Sequence, residues 1–125
     1  MIKQIISENA PSAPQFLSQA IESNGFVFVS GQIHNTPDGK LIEDSVEQKL
    51  KQIMTNIANI LEDGGFDFNQ IIKATIYVTD MLQMAEINNF YPKFFGPGPL
   101  PARESVCVKE LPLGATIEIS VIAEA

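Results

Sequence analysis

Two charged residues near the end of the chain could do chemistry together. Arg103 is the only arginine among 125 residues and sits in Pro101-Ala102-Arg103, where a loop gives way to a strand-like stretch. A guanidinium is planar, permanently charged and shaped for bidentate contact with a carboxylate. Glu118 stands between Ile117 and Ile119 in a second such stretch. A carboxylate held partly out of water can position and activate a water molecule as a general base. Each has a plainer reading. Arg103 could pair at the surface with one of fifteen acidic residues, and Glu118 could be the solvent face of an alternating strand. With the two side chains close together, the cation would offset the effect of burial on Glu118, so no net pKa shift is expected.

The remaining reactive groups are few. One cysteine, Cys107, excludes an internal disulfide and any cysteine-built metal site. One histidine, His34, excludes a histidine-rich zinc site. Serine hydrolase chemistry would have to rest on that single His34, which reads as a turn residue. Cys107 alternates with Ser105 on one strand face and reads as a small core hydrophobe. No metal and no organic cofactor is expected from this ligand set. A net charge of −7 with eight basic residues leaves no basic stripe for phosphates, so nucleic acid is not expected as a partner. No apolar run approaches the roughly 18 to 20 residues that span a bilayer, so no membrane is expected. Met1-Ile2-Lys3-Gln4 lacks the pattern of a signal peptide, and a cytoplasmic protein is expected.

The elements that must position these residues form one domain over residues 1–125. Residues 15–22 read as a first strand, followed by a Ser23-Asn24-Gly25 turn. Phe26 to Ser30 is a continuous apolar strand, and Thr36-Pro37-Asp38-Gly39 is a strong turn. Val46, Leu50, Ile53, Ile57, Ile60 and Leu61 fall on one face of a helix that Gly64-Gly65 stops. Asp44 with Glu47 resembles its capping box. Residues 71–78 alternate, with Ile72, Ala74, Ile76 and Val78 facing inward. Strand, helix and strand then make a βαβ unit. Asp80 caps a second helix carrying Met84, Ile87 and Tyr91, weakened at its end by Pro92. Two short strands, residues 105–109 and 116–123, finish the chain. The fold class expected is α+β: a single mixed sheet with two helices packed on one face. The other face keeps Phe, Val and Ile with no helix to cover it, which signals an oligomer.

Taken together, several stretches resemble the RidA (YjgF) family. They are Pro101-Ala102-Arg103-Glu104-Ser105-Val106, Leu111-Pro112 and Ile117-Glu118-Ile119, with Glu8-Asn9-Ala10-Pro11, Ser30-Gly31-Gln32, Val78-Thr79-Asp80, and Asn88 ahead of Tyr91-Pro92-Lys93-Phe94-Phe95. They are collinear over nearly the whole chain. The resemblance implies a chorismate-mutase-like fold and a homotrimer whose sheets form a central barrel, with a pocket at each subunit boundary. It also implies an activity: hydrolysis of 2-imino acids such as 2-iminobutanoate and 2-iminopropanoate to 2-keto acids and ammonia. Arg103 would bind the substrate carboxylate and Glu118 would handle the water.

The same resemblance implies substrate-binding roles for Ser30, Gly31, Asn88, Ser105 and Leu17. Gly31 lets a backbone N–H come close to the carboxylate because no side chain intervenes. Asn88 reads equally as an exposed helix amide. Leu17 stands where many relatives have a pocket tyrosine, and Glu104 where they have Ser or Thr. On an extended strand Glu104 should point away from Arg103. Two rivals stay open: a non-catalytic trimer that binds small keto acids, and the endoribonuclease or translation-inhibitor role attached to some relatives.

Overall fold

The computed structural model describes residues 1–125. Six strands make one mixed sheet: β1 (Ile2–Ile5), β2 (Ala20–Ser23), β3 (Phe26–Ile33), β4 (Ile71–Val78), β5 (Ala102–Cys107) and β6 (Ile117–Glu124), in the order β1-β2-β3-β6-β4-β5. Two helices, α1 (Val46–Asp63) and α2 (Met84–Phe90), lie on one face. The α+β reading of one mixed sheet with two helices therefore holds. β4 and β5 pair in parallel across α2, and every other pairing is antiparallel. β3 and β4 flank β6, so the chain runs through α1 as a βαβ unit with one strand inserted between its two arms.

The core is the helical stripe against alternate strand residues. Leu50, Ile53, Ile57, Ile60 and Leu61 of α1 are fully buried, as are Ile76 and Val78 of β4 and Ile117 and Ile119 of β6. Each such side chain contributes roughly 1.5 to 3 kcal/mol by leaving water. The opposite sheet face carries Phe26 and Phe28 of β3, Tyr77 of β4, Ile122 of β6 and Val106 of β5, all partly or largely exposed. No helix covers it.

Several local details depart from the sequence reading. The first strand is not residues 15–22. The N–H groups of Phe16 and Leu17 both donate to the Ala13 carbonyl just after the prolines, which makes a turn, and only Ala20–Ser23 is extended. The true edge strand is Ile2–Ile5, whose single buried residue gives almost no hydrophobic pattern to read. Ser45, not Asp44, caps α1: its extended backbone lets the hydroxyl accept from the Gln48 N–H at 3.2 Å, while Asp44 accepts from the Ser45 N–H. Ile72 is 43% exposed because the β4–β6 register slips between Ile71 and Lys73, which turns Ile71 inward instead. Pro92 ends α2 at Phe90, and Tyr91–Phe94 continue as a tighter 3₁₀ turn. Cys107 is exposed on the edge strand β5 and is no core residue. No helix is long and apolar enough to cross a membrane.

Candidate active site

Glu118 leaves β6 on the uncovered face and lies over the β3 backbone at Gly31. A Cβ built on Gly31 would sit 2.8 Å from the Glu118 carboxyl carbon, and closer still to Oε2. The glycine leaves the space that the Glu118 carboxylate occupies. The register break in β3 between Val29 and Gln32 falls at this point and shapes the backbone under the carboxylate. Glu118 is half-buried, and burial raises its carboxyl above the ordinary range. Arg103 contributes nothing to that shift, so the mutual cancellation expected from the sequence does not occur within one chain.

Above this floor opens a cavity of about 470 Å³, lined among others by Leu17, Ser30, Gly31, Gln32, Leu113 and Glu118. Its rim includes Pro37, Asp38 and Gly39 of the turn after β3, and Pro112 of the turn before β6. Ser30 has its hydroxyl committed, donating to the Ser18 carbonyl at 2.6 Å. Four of the residues singled out from sequence, Glu118, Gly31, Ser30 and Leu17, therefore share one cavity.

Arg103, Ser105 and Asn88 do not. Pairing puts Arg103 beside Ala74, Ser105 beside Ile76 and Cys107 beside Val78, on the helix side of the edge strand. The Arg103 guanidinium stacks on the Tyr91 ring, 5.1 Å from its centroid. Tyr91 is buried, which raises its phenol pKa, a shift partly offset by the Arg103 charge, and its hydroxyl has no hydrogen-bond partner. Asn88 is exposed on α2. Glu104 points to the other face, as expected, and pairs with Lys73 at 3.2 Å. It does not compete for Arg103.

Sequence reasoning missed the groups that hold the cavity walls. His34 is not a loose turn residue: it is 1% exposed and hydrogen-bonded through both ring nitrogens. Gln19 is buried and clamps the loop of residues 7–11, accepting from the Ser7 N–H and donating to the carbonyls of Ser7, Ala10 and Pro11. Asn56, fully buried on α1, donates to the carbonyls of Ile33 and Asn35. A polar residue inside an apolar helical stripe was the one available signal, and Asn56 carried it.

A family model described as endoribonuclease L-PSP matches residues 7–125. Reactive Intermediate Deaminase A, chloroplastic, of Arabidopsis thaliana is 41% identical over 123 residues, covering 97% of this chain and 65% of the relative. The 2-iminobutanoate/2-iminopropanoate deaminase of Mus musculus is 36% identical over 125 residues, covering 98% and 92%. Among solved structures, the Rid-family protein YyfA of Yersinia pestis superposes with a TM-score of 0.96 at 39% identity, covering all of both chains.

Proposed function

This chain belongs to the endoribonuclease L-PSP (RidA) family, and from that premise we propose that it hydrolyses 2-imino acids to 2-keto acids and ammonia. The observation that carries the reading is Glu118, a half-buried carboxylate with a raised pKa laid across Gly31 on the floor of an open cavity. Such a group can take a proton from water near neutrality. The water oxygen adds to the carbon of the iminium form while one of its protons passes to Glu118, giving a neutral carbinolamine. That proton returns to the nitrogen, and as the C–N bond breaks Glu118 takes the hydroxyl proton while the C=O bond forms; ammonia and the keto acid leave, and Glu118 passes its proton to solvent. Imines of this kind hydrolyse without help, so orientation and one base supply enough acceleration.

A carboxylate substrate also needs a cation, and the cavity lining contains Glu118 and Asp38 but no lysine or arginine. Arg103 supplies that chemistry from a second copy of the chain. The apolar sheet face that nothing covers is the surface on which copies would meet, and a homotrimer with its sheets around a central barrel closes it. Arg103, Ser105 and Asn88 of one copy would then face Leu17, Ser30, Gly31 and Glu118 of the next. RNA cleavage gains no support from an acid-lined cavity.

The test couples a threonine dehydratase to this protein and follows keto-acid release. Wild type accelerates release, and Arg103→Ala and Glu118→Ala each lower kcat/KM by about 10²- to 10⁴-fold. Mixing the two variants under subunit exchange restores part of the activity, because some boundaries then hold one intact Arg103 and one intact Glu118. No acceleration by wild type, with keto acid still bound in calorimetry, would favour the binding module instead. Leu17, standing where many relatives have a tyrosine, is the feature that keeps that rival in play.

A further inference from the structure

We propose that His34 is a positioning residue for the Glu118 cavity, a neutral imidazole that ties two of its walls together and so sets the cavity's affinity for a small carboxylate. The ring lies between the segment of residues 34–42, which carries Asn35, Pro37, Asp38 and Gly39 of the rim, and the start of β6, which carries Glu118 two residues beyond Thr116. Nδ1 lies 2.7 Å from the Ile42 carbonyl oxygen, which can only accept, so Nδ1 bears the hydrogen. The Thr116 N–H points at Nε2 from 3.0 Å, so Nε2 is bare and accepts. The two partners together select one tautomer of the uncharged ring.

The same junction is reinforced from α1. Lys49 Nζ donates to the Thr116 hydroxyl at 3.0 Å, and Asn56 donates to the carbonyls on both sides of His34. His34 is the one member of this cluster that touches both walls and can change its charge. A proton on Nε2 would set two N–H groups against each other and release Thr116. Burial holds the ring below its ordinary pKa. The Ile42 carbonyl opposes this, Lys49 on α1 reinforces it, and Glu43 ahead of α1 opposes it. The latch is thus closed at neutral pH and opens in acid. The binding readout rests on the proposed carboxylate-binding role of the cavity, whereas the amide readout below does not.

The experiment compares wild type, His34→Gln and His34→Leu. Gln keeps a donor and an acceptor on one planar group and cannot titrate. Hydrogen exchange is followed at the bonded amides of Thr36, Ile42 and Thr116, with Ile53 and Ile57 of the core as the reference. His34→Leu should speed exchange at Ile42 and Thr116 at least tenfold at pH 7.5 and leave the core amides unchanged. Its Kd for 2-oxobutanoate should rise at least tenfold. His34→Gln should stay within about threefold of wild type in both readouts at pH 7.5. As the pH falls through and below the ordinary imidazole range, wild type should lose protection at Thr116, and His34→Gln should not. Equal protection in all three proteins, or the same acid loss in His34→Gln, overturns the proposal. Should wild type bind no 2-oxobutanoate, the function proposed for the cavity fails. The amides would then still show whether His34 joins its walls.

Discussion

Arg103 and Glu118 project from opposite faces of one sheet. Arg103 pairs with Ala74, and Glu118 with Tyr77, three residues further along the same strand β4, so strand alternation places their side chains on different sides. One lies over Tyr91 on the helix side of the edge strand, exposed to solvent, and the other lies in the cavity on the open face. No rotamer change brings them together within a single chain. The function proposed above therefore has the two residues meet across a boundary between copies of the chain.

Tyr91 tests how Arg103 is held. Its ring supports the guanidinium, while its buried hydroxyl bonds to nothing. Tyr91→Phe should keep KM within about twofold and leave Tm unchanged or slightly raised, since it deletes an unpaired polar group. Tyr91→Leu removes the aromatic face and should raise KM about tenfold, in line with a cation–π contact of some 1 to 2 kcal/mol. Steady-state kinetics on the two variants, with melting curves alongside, separate the ring from the hydroxyl. Equal loss in both would remove the stacking account.

Gly31→Ala should damage the site more than the fold. The added methyl would meet the Glu118 carboxylate, the movable end of a side chain, so Glu118 must swing aside. The backbone of Gly31 is not in the positive-φ region, so alanine brings no conformational strain there. We expect kcat/KM to fall at least tenfold, with stability changed by less than about 1 kcal/mol, the scale of a surface substitution. A variant with full activity would show that Glu118 need not rest where it does.

Glu118→Gln should stabilise the protein at neutral pH. The folded-state pKa of Glu118 is raised by burial, so the folded form binds its proton more tightly than the unfolded form does. The favourable term is present below the unfolded pKa and is lost as pH rises through the folded pKa. Removing the titration should therefore raise Tm at pH 7 and leave it nearly unchanged at pH 4. Melting curves across that range check the sign. A Tm penalty at pH 7 would contradict it.

Gln19→Ala should loosen the cavity from its N-terminal side. One buried amide holds four backbone groups of Ser7, Ala10 and Pro11, and its loss leaves them unpaired. Denaturant unfolding should show about 2 to 4 kcal/mol of destabilisation, given the cost of stranding buried polar groups. Proteolysis should then cut within residues 7–17 before it cuts elsewhere. Unchanged stability would mean the loop is held by its other contacts.

The local rules of the chain were readable where one face repeats. The stripe from Val46 to Leu61, the alternation from Lys73 to Val78 and the turn at Pro37-Asp38-Gly39 all settled into the elements that their spacing predicted. Arg103 and Glu118 each had an ordinary surface reading by residue type, and the resemblance to the RidA family is what singled them out. Residues 15–22 misled because hydrogen bonds back to Ala13 override a weak strand pattern, and Ile2–Ile5 carried too little apolar signal to be seen.

Sequence by itself determined which helix face is buried and where the chain must turn, because those follow from side-chain type and short-range periodicity. Only the tertiary structure decided that Glu118 rests on Gly31, that His34 joins two walls through a single tautomer, and that Arg103 faces away from the cavity. These depend on strand order, on two register breaks and on contacts such as His34 to Thr116, 82 residues apart. Such long-range pairings leave no periodic trace in the chain, since each is set by the packing of the whole sheet.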